Sequence, residues 1–148
     1  MRNLLILILL TLTTQTFANV YLNTAKVELK PNSFSKYIQA VDQADVLRQT
    51  KLEQGNLQYE LYRTGKNEVL FSEVWRNKED LDKHLGEAHM QAFFAKVGFN
   101  PALYHIKSKT ISGRDVTVFI LKEKNSNSLI WKLILMGQKA QQINTKYY

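Results

Sequence analysis

The sequence contains no cysteine, which removes disulfides, thiolate-based zinc or iron–sulfur sites and cysteine acylation from consideration. Stability therefore has to come from packing and from association. Glycine is sparse, six residues in 148, and none of it forms a phosphate-cradling loop or a nucleophile elbow. With no Cys–His pair either, hydrolase and nucleotide-binding chemistry find no foothold. No apolar run reaches the roughly 20 residues that a membrane-spanning helix needs. A dense basic run is also missing. The 20 lysines and arginines outweigh 13 acidic residues to give a net charge of +7, but they are dispersed, which describes a soluble basic surface rather than a nucleic-acid footprint. No nucleic-acid partner is expected.

What is present begins with a leader. Met1-Arg2-Asn3 is basic, Leu4 to Leu12 is apolar, and Thr16-Phe17-Ala18 resembles a small-residue cleavage site. Together they read as a secretory signal peptide over residues 1–18 rather than a retained anchor. Cleavage after Ala18 predicts a secreted or periplasmic protein of about 130 residues, enough for one domain and too few for two.

Ala25, Val27 and Leu29 alternate with Thr24, Lys26 and Glu28, which marks a half-buried strand from Val20 to Leu29, ended by Lys30-Pro31-Asn32-Ser33. Phe34, Tyr37, Ile38 and Val41 share one helical face, predicting a helix from about 33 to 51. After Gly55 comes a strand, Leu57 to Arg63, and Thr64-Gly65-Lys66-Asn67 reverses it into Glu68 to Arg76 as a hairpin. Asn77 caps a second helical region with Glu79 and Asp80 in its first turn. That region breaks near Gly86 and resumes through Met90, Phe93, Phe94 and Val97 before Gly98 stops it. Tyr104 to Ile111 is a further strand. The order is the split β-α-β arrangement of an α+β, ferredoxin-like fold, placed at residues 19–113. Residues 114–148 are expected to add a strand, Val116 to Leu121, a polar linker from Lys122, and an amphipathic helix over Ser128 to Gln142 that docks on the domain or on a membrane surface.

The stretch from Leu70 to Phe94 carries the distinctive side chains. Glu73-Val74-Trp75, then His84-Leu85, then Ala88-His89-Met90-Gln91-Ala92-Phe93 resembles the signature of the antibiotic biosynthesis monooxygenase (ABM) family, its quinol monooxygenases in particular. The likeness covers roughly residues 22–112 and includes Glu53-Gln54-Gly55-Asn56-Leu57-Gln58-Tyr59-Glu60-Leu61. It implies a ferredoxin-like fold of the dimeric α/β-barrel type, a homodimer, and oxygenation of a small aromatic or quinol-type molecule with no cofactor. Haem-degrading members use an Asn, Trp and His set, from which this chain departs: His84 stands at the position of the tryptophan and Phe94 at that of the histidine.

Within that frame His84 is the candidate catalytic base, since a neutral imidazole exchanges a proton near pH 7. Tyr59, Phe71, Trp75, His89, Phe93 and Phe94 are expected to line an aromatic cavity between sheet and second helix, ordinary core packing being the plainer account. Glu73 shares a strand face with Trp75 and either positions substrate or pairs with Arg63. His84 and His89 are five apart, roughly 140° around a continuous helix, so no metal site is expected. The hairpin is apolar on both faces, with Val69, Phe71 and Trp75 on one and Leu70 and Val74 on the other. Helices cover one face, which leaves the other for a partner sheet, with Val116 to Leu121 as a strand that crosses to the partner. The competing functions are a non-catalytic small-molecule-binding or stress-related module of the same fold, and a membrane-surface protein docking through residues 126–148.

Overall fold

The structure, a computed structural model, describes residues 19–143. The expected signal peptide lies outside these residues. In chain order the elements are β1 (Asn19–Leu29), α1 (Phe34–Gln43), α2 (Val46–Leu52), β2 (Asn56–Gly65), β3 (Glu68–Trp75), α3 (Lys78–Leu85), α4 (Ala88–Val97), a 3-10 turn (Pro101–Leu103), β4 (Tyr104–Ile111), β5 (Arg114–Leu121) and β6 (Ile130–Gln141). The strands form one antiparallel sheet in the order β2-β3-β1-β6-β5-β4.

Alternation along β1 sets the layers. Val27 lies opposite Val69 on one side and Leu133 on the other, and Ala25 lies between Phe71 and Leu135. These odd-numbered positions share the face that packs with Tyr37 and Val41 of α1, Val46 of α2, and Met90, Phe93 and Val97 of α4. The opposite face carries Leu22, Leu70, Val74, Val116, Val118 and Ile134, all only half-buried. α3 starts where the sequence places it: the Asn77 side chain accepts from the Asp80 amide at 2.8 Å, filling one of the free donors of the first turn. Asp80 is in turn held by two bonds from the Arg76 guanidinium, at 2.8 and 3.1 Å.

Three expectations need correction. The single helix over 33–51 is two helices, because Asp45 sits at φ 54 and interrupts it. Aspartate tolerates this left-handed conformation better than most residues, and here its carboxylate engages the Arg48 side chain one turn on.

The amphipathic helix over 128–142 does not form: Ile130–Gln141 is strand β6, paired along almost its whole length with β1 and on its other edge with β5. An apolar run on both parities has no period of its own, so its sequence cannot separate strand from buried helix. The free edge of β1 decides the matter, since its amides and carbonyls need partners. The membrane-surface docking expected of residues 126–148 was assigned to that helix. β5 likewise pairs with β4 and β6 of its own chain and does not cross to a partner. The place beside β1 that the last strand of a split β-α-β unit takes is thus filled by β6, and β4 is moved to the sheet edge.

Gly137 makes this pairing possible. It lies opposite Asn23, and a Cβ there would come within 2.2 Å of the Tyr21 hydroxyl and 2.7 Å of the ring. Tyr21 is buried and its hydroxyl donates to Asp115 of β5 at 3.1 Å, so the ring has little freedom to retreat. Gly137→Ala should therefore destabilise the fold by about 1–3 kcal/mol, the usual cost of overpacking a filled interior. Urea unfolding of the variant beside the parent protein measures it, and an unchanged midpoint would contradict this account of the β1–β6 contact.

Candidate functional site

Between the helical layer and the sheet lies a cavity of about 960 Å³. Its sheet wall is Ala25, Val27, Phe71, Leu133 and Leu135, and Leu81, Met90, Phe93 and Phe94 close it from α3 and α4. Phe94, Phe99 and Phe119 continue the lining as a chain of rings, with centroids 5.4 Å apart from Phe94 to Phe99 and 5.6 Å from Phe99 to Phe119. Gly98, at φ 71, permits the turn that brings Phe99 in, and a Cβ there would be 2.8 Å from the Asn127 carbonyl oxygen. Into these apolar walls project Asn23, Glu73 and His84.

Glu73 is buried on β3 and faces Asn23, its cross-strand neighbour on β1, whose side-chain amide donates to the carboxylate. Burial pushes the Glu73 carboxyl up to about 7, against the opposing pull of that amide. The expected pairing with Arg63 does not occur. Arg63 lies over the Phe34 ring at 3.8 Å and donates to the carbonyls of Gly65 and Lys66.

His84 is 1% exposed. Its ring lies 4.9 Å from that of Trp75 and 5.4 Å from that of Tyr59, centroid to centroid. Nδ1 is 2.6 Å from Glu53 Oε2, while Nε2 has no hydrogen-bond partner among the described residues. Burial and the neighbouring His89 push the imidazole down. Burial, with the Glu87 carboxylate beside it, pushes the Glu53 carboxyl up. Both directions favour uncharged partners around a shared proton.

The angular argument that separated His84 from His89 assumed one continuous helix. Instead α3 ends at Gly86, Glu87 is extended, and α4 restarts at Ala88, which brings the two rings to 6.0 Å. His89 Nε2 lies 3.3 Å from Thr50 Oγ1 and 3.4 Å from Glu53 Oε2.

Of the residues singled out in the sequence, Tyr59, Phe71, Glu73, His84, Phe93 and Phe94 line the cavity. Trp75 does not; it is fully buried behind His84. His89 also lies outside the lining, on the Glu53 side of His84. Asn23 and Glu53 were not foreseen. Asn23 had a readable signal, a polar residue on the same strand face as Tyr21, Ala25 and Val27. Glu53, in the turn after α2, had none beyond its place in a family-like segment.

A family model described as antibiotic biosynthesis monooxygenase matches residues 20–96. Among solved structures, Rv0793 from Mycobacterium tuberculosis is 26% identical over 53% of this chain and 80% of that one, with a TM-score of 0.48. PA3566 from Pseudomonas aeruginosa is 13% identical over 88% of this chain and the whole of that one, with a TM-score of 0.54, a likeness of fold. No match is found among curated proteins.

The Glu73 carboxyl makes stability depend on pH. Its value rises from an ordinary 4.5 when unfolded to about 7 when folded, so the native state holds this proton more tightly. The resulting stabilisation is complete below about 4.5 and is lost as pH rises through about 7. Glu73→Gln keeps an acceptor for Asn23 and has no charge to desolvate. The variant should match the parent protein near pH 4.5 and exceed it at pH 8 by on the order of 2–3 kcal/mol. Thermal melts at the two pH values test this; equal gains at both would assign the effect to packing instead.

Proposed function

Because the chain belongs to the antibiotic biosynthesis monooxygenase family, we propose that it is a monooxygenase acting on a small aromatic, quinol-type molecule held in the helix-side cavity. The observation that carries this reading is an apolar, ring-lined cavity into which project a buried carboxyl and an imidazole whose Nε2 has no hydrogen-bond partner among the described residues. Such a volume suits a flat ligand of one to three fused rings, and its few polar groups fix orientation.

In this reading the ring hydroxyl of the substrate hydrogen-bonds His84 Nε2 and passes its proton to Glu73. The sequence alone nominated His84 as the base. The geometry favours Glu73 for that step, because a carboxyl near 7 is matched to proton transfer at neutral pH. The resulting electron-rich anion reduces dioxygen. On a quinol one oxygen atom enters a ring C–H bond as a hydroxyl, and the other leaves as water with the two quinol hydroxyl hydrogens, giving a hydroxyquinone, so the substrate supplies all four electrons. The walls exclude bulk water from the anion and hold it against dioxygen. The leader-like residues 1–18 support a secreted or periplasmic setting.

We further propose a homodimer that buries the outer sheet face. Leu70 and Val74 of β3 lie on it, and Val116 and Val118 of β5 pack beside Met136 and Ile134 of β6, two apolar groups with Lys26 and Thr24 of β1 between them, more than isolated exposed residues account for.

Oxygen uptake with a panel of reduced quinones and anthrone-like phenols tests the activity. Turnover should fall about a hundred- to ten-thousand-fold in Glu73→Gln, and the rise of rate through pH 7 should vanish with it. Binding of the panel without turnover would leave the non-catalytic module. Light scattering should give twice the chain mass, and Val118→Asp on the outer face should give a folded monomer; a monomeric parent protein would refute the dimer.

A further inference from the structure

Where α2, α3 and α4 meet, at the edge of the cavity, three side chains with metal-ligating atoms converge, of which only His84 also lines the cavity. Glu53 follows α2, His84 lies near the end of α3, and His89 falls in the first turn of α4. One ligand atom from each lies within 4.8 Å of the other two. We propose that Glu53, His84 and His89 form a binding site for a divalent transition-metal ion of the zinc type.

The donor set fits that class. Two imidazoles with one carboxylate suit zinc, cobalt, nickel or ferrous ions, whereas magnesium and calcium take oxygen ligands. The spacing fits as well. Ligand bonds of about 2.0–2.2 Å around a tetrahedral ion place neighbouring donor atoms about 3.3 Å apart, and His89 Nε2 is already 3.4 Å from Glu53 Oε2. His84 Nδ1, at 2.6 Å from the same oxygen, has to separate from it by less than 1 Å, within reach of a side-chain rotation of Glu53. Thr50 Oγ1, 3.3 Å from His89 Nε2, offers an oxygen as a fourth ligand.

The donors are also shielded. His84, Glu53 and His89 side chains are 1%, 11% and 12% exposed, unlike the solvated carboxylates that crowd many surfaces without binding anything. Their convergence depends on the break at Gly86 and Glu87, since a continuous helix would hold the imidazoles apart.

Metal binding here reaches the cavity through one ring. With Nδ1 on the ion, the neutral imidazole carries its remaining proton on Nε2, so a loaded site fixes His84 as a hydrogen-bond donor toward the cavity. His84 then acts on a cavity ligand as a positioning group whose tautomer the ion sets.

The test uses the full chain, stripped with a chelator and titrated with zinc alone by calorimetry, with cobalt as an optical probe. One zinc per chain should bind at micromolar concentration or tighter. X-ray absorption of that complex should show two imidazole nitrogens. His89→Ala and Glu53→Gln should each weaken binding roughly 100-fold or more while circular dichroism shows a folded protein. His105→Ala, on β4 away from the cluster, should bind as the parent protein does. No saturable zinc binding by the folded parent protein would overturn the proposal, whatever the variants do. So would binding that survives both ligand substitutions, or that is lost with His105.

Discussion

Both edges of β1 are satisfied by strands arriving from distant parts of the sequence, and the positions of Asn23, Glu73 and the floor of the cavity follow from that double pairing. Row by row, Val27 lies between Val69 and Leu133, Ala25 between Phe71 and Leu135, and Asn23 between Glu73 and Gly137. The first two rows give the cavity an apolar floor. The third sets an amide beside a carboxyl and leaves an empty position next to them, which the Tyr21 ring covers. A shift of one residue in the β1–β3 ladder would turn Glu73 to the outer face and Val74 to the inner one, and the same shift in the β1–β6 ladder would exchange Leu135 with Met136, because side chains alternate across a strand. The chemistry of the site is therefore a matter of register before it is a matter of residue type.

The interior around that row is not optimised for stability. A carboxyl is buried with one amide for company, and His84 Nε2 and Trp75 Nε1 have no hydrogen-bond partner among the described residues. Each such group loses hydration without full recompense. The surrounding rings offset the loss through area and geometry: Tyr37 meets Phe93 edge-on at 5.4 Å, and Tyr59 meets His84 edge-on at the same distance. Polar groups left underbonded by the protein inside an apolar shell are what a binding cavity requires and what a purely structural core avoids.

Much of this was legible in the chain, for reasons that differ by element. The β2–β3 hairpin, the Asn77 cap and the α4 stop at Gly98 each carry a local signal: a turn sequence, a capping side chain, a glycine that takes a left-handed conformation. The shared faces of Tyr59, Phe71, Phe93 and Phe94 followed from strand and helix periods, whereas the expectation that they line a cavity came with the family resemblance. β6 was illegible because apolar residues on both parities erase the two-residue period, leaving tertiary demand to decide. His84 and His89 were misplaced relative to each other because their distance depends on an extended Glu87, a backbone choice that sequence spacing does not encode. Trp75 was assigned to the lining from its face alone, whereas depth within that face puts His84 between it and the cavity.

The pairing of the first described strand with the last has a consequence in time. Residues 19–29 cannot complete their ladder until residues 130–141 exist, a separation of most of the chain. During synthesis β1, α1, β2 and β3 can assemble early, but one edge of β1 and the apolar floor beside it stay open throughout. Closing so long a loop adds an entropic barrier that helical or hairpin contacts do not carry, which places this fold among the slower of its size. For that interval the unpaired edge of β1 is a template for any other extended segment, including β6 of a second chain.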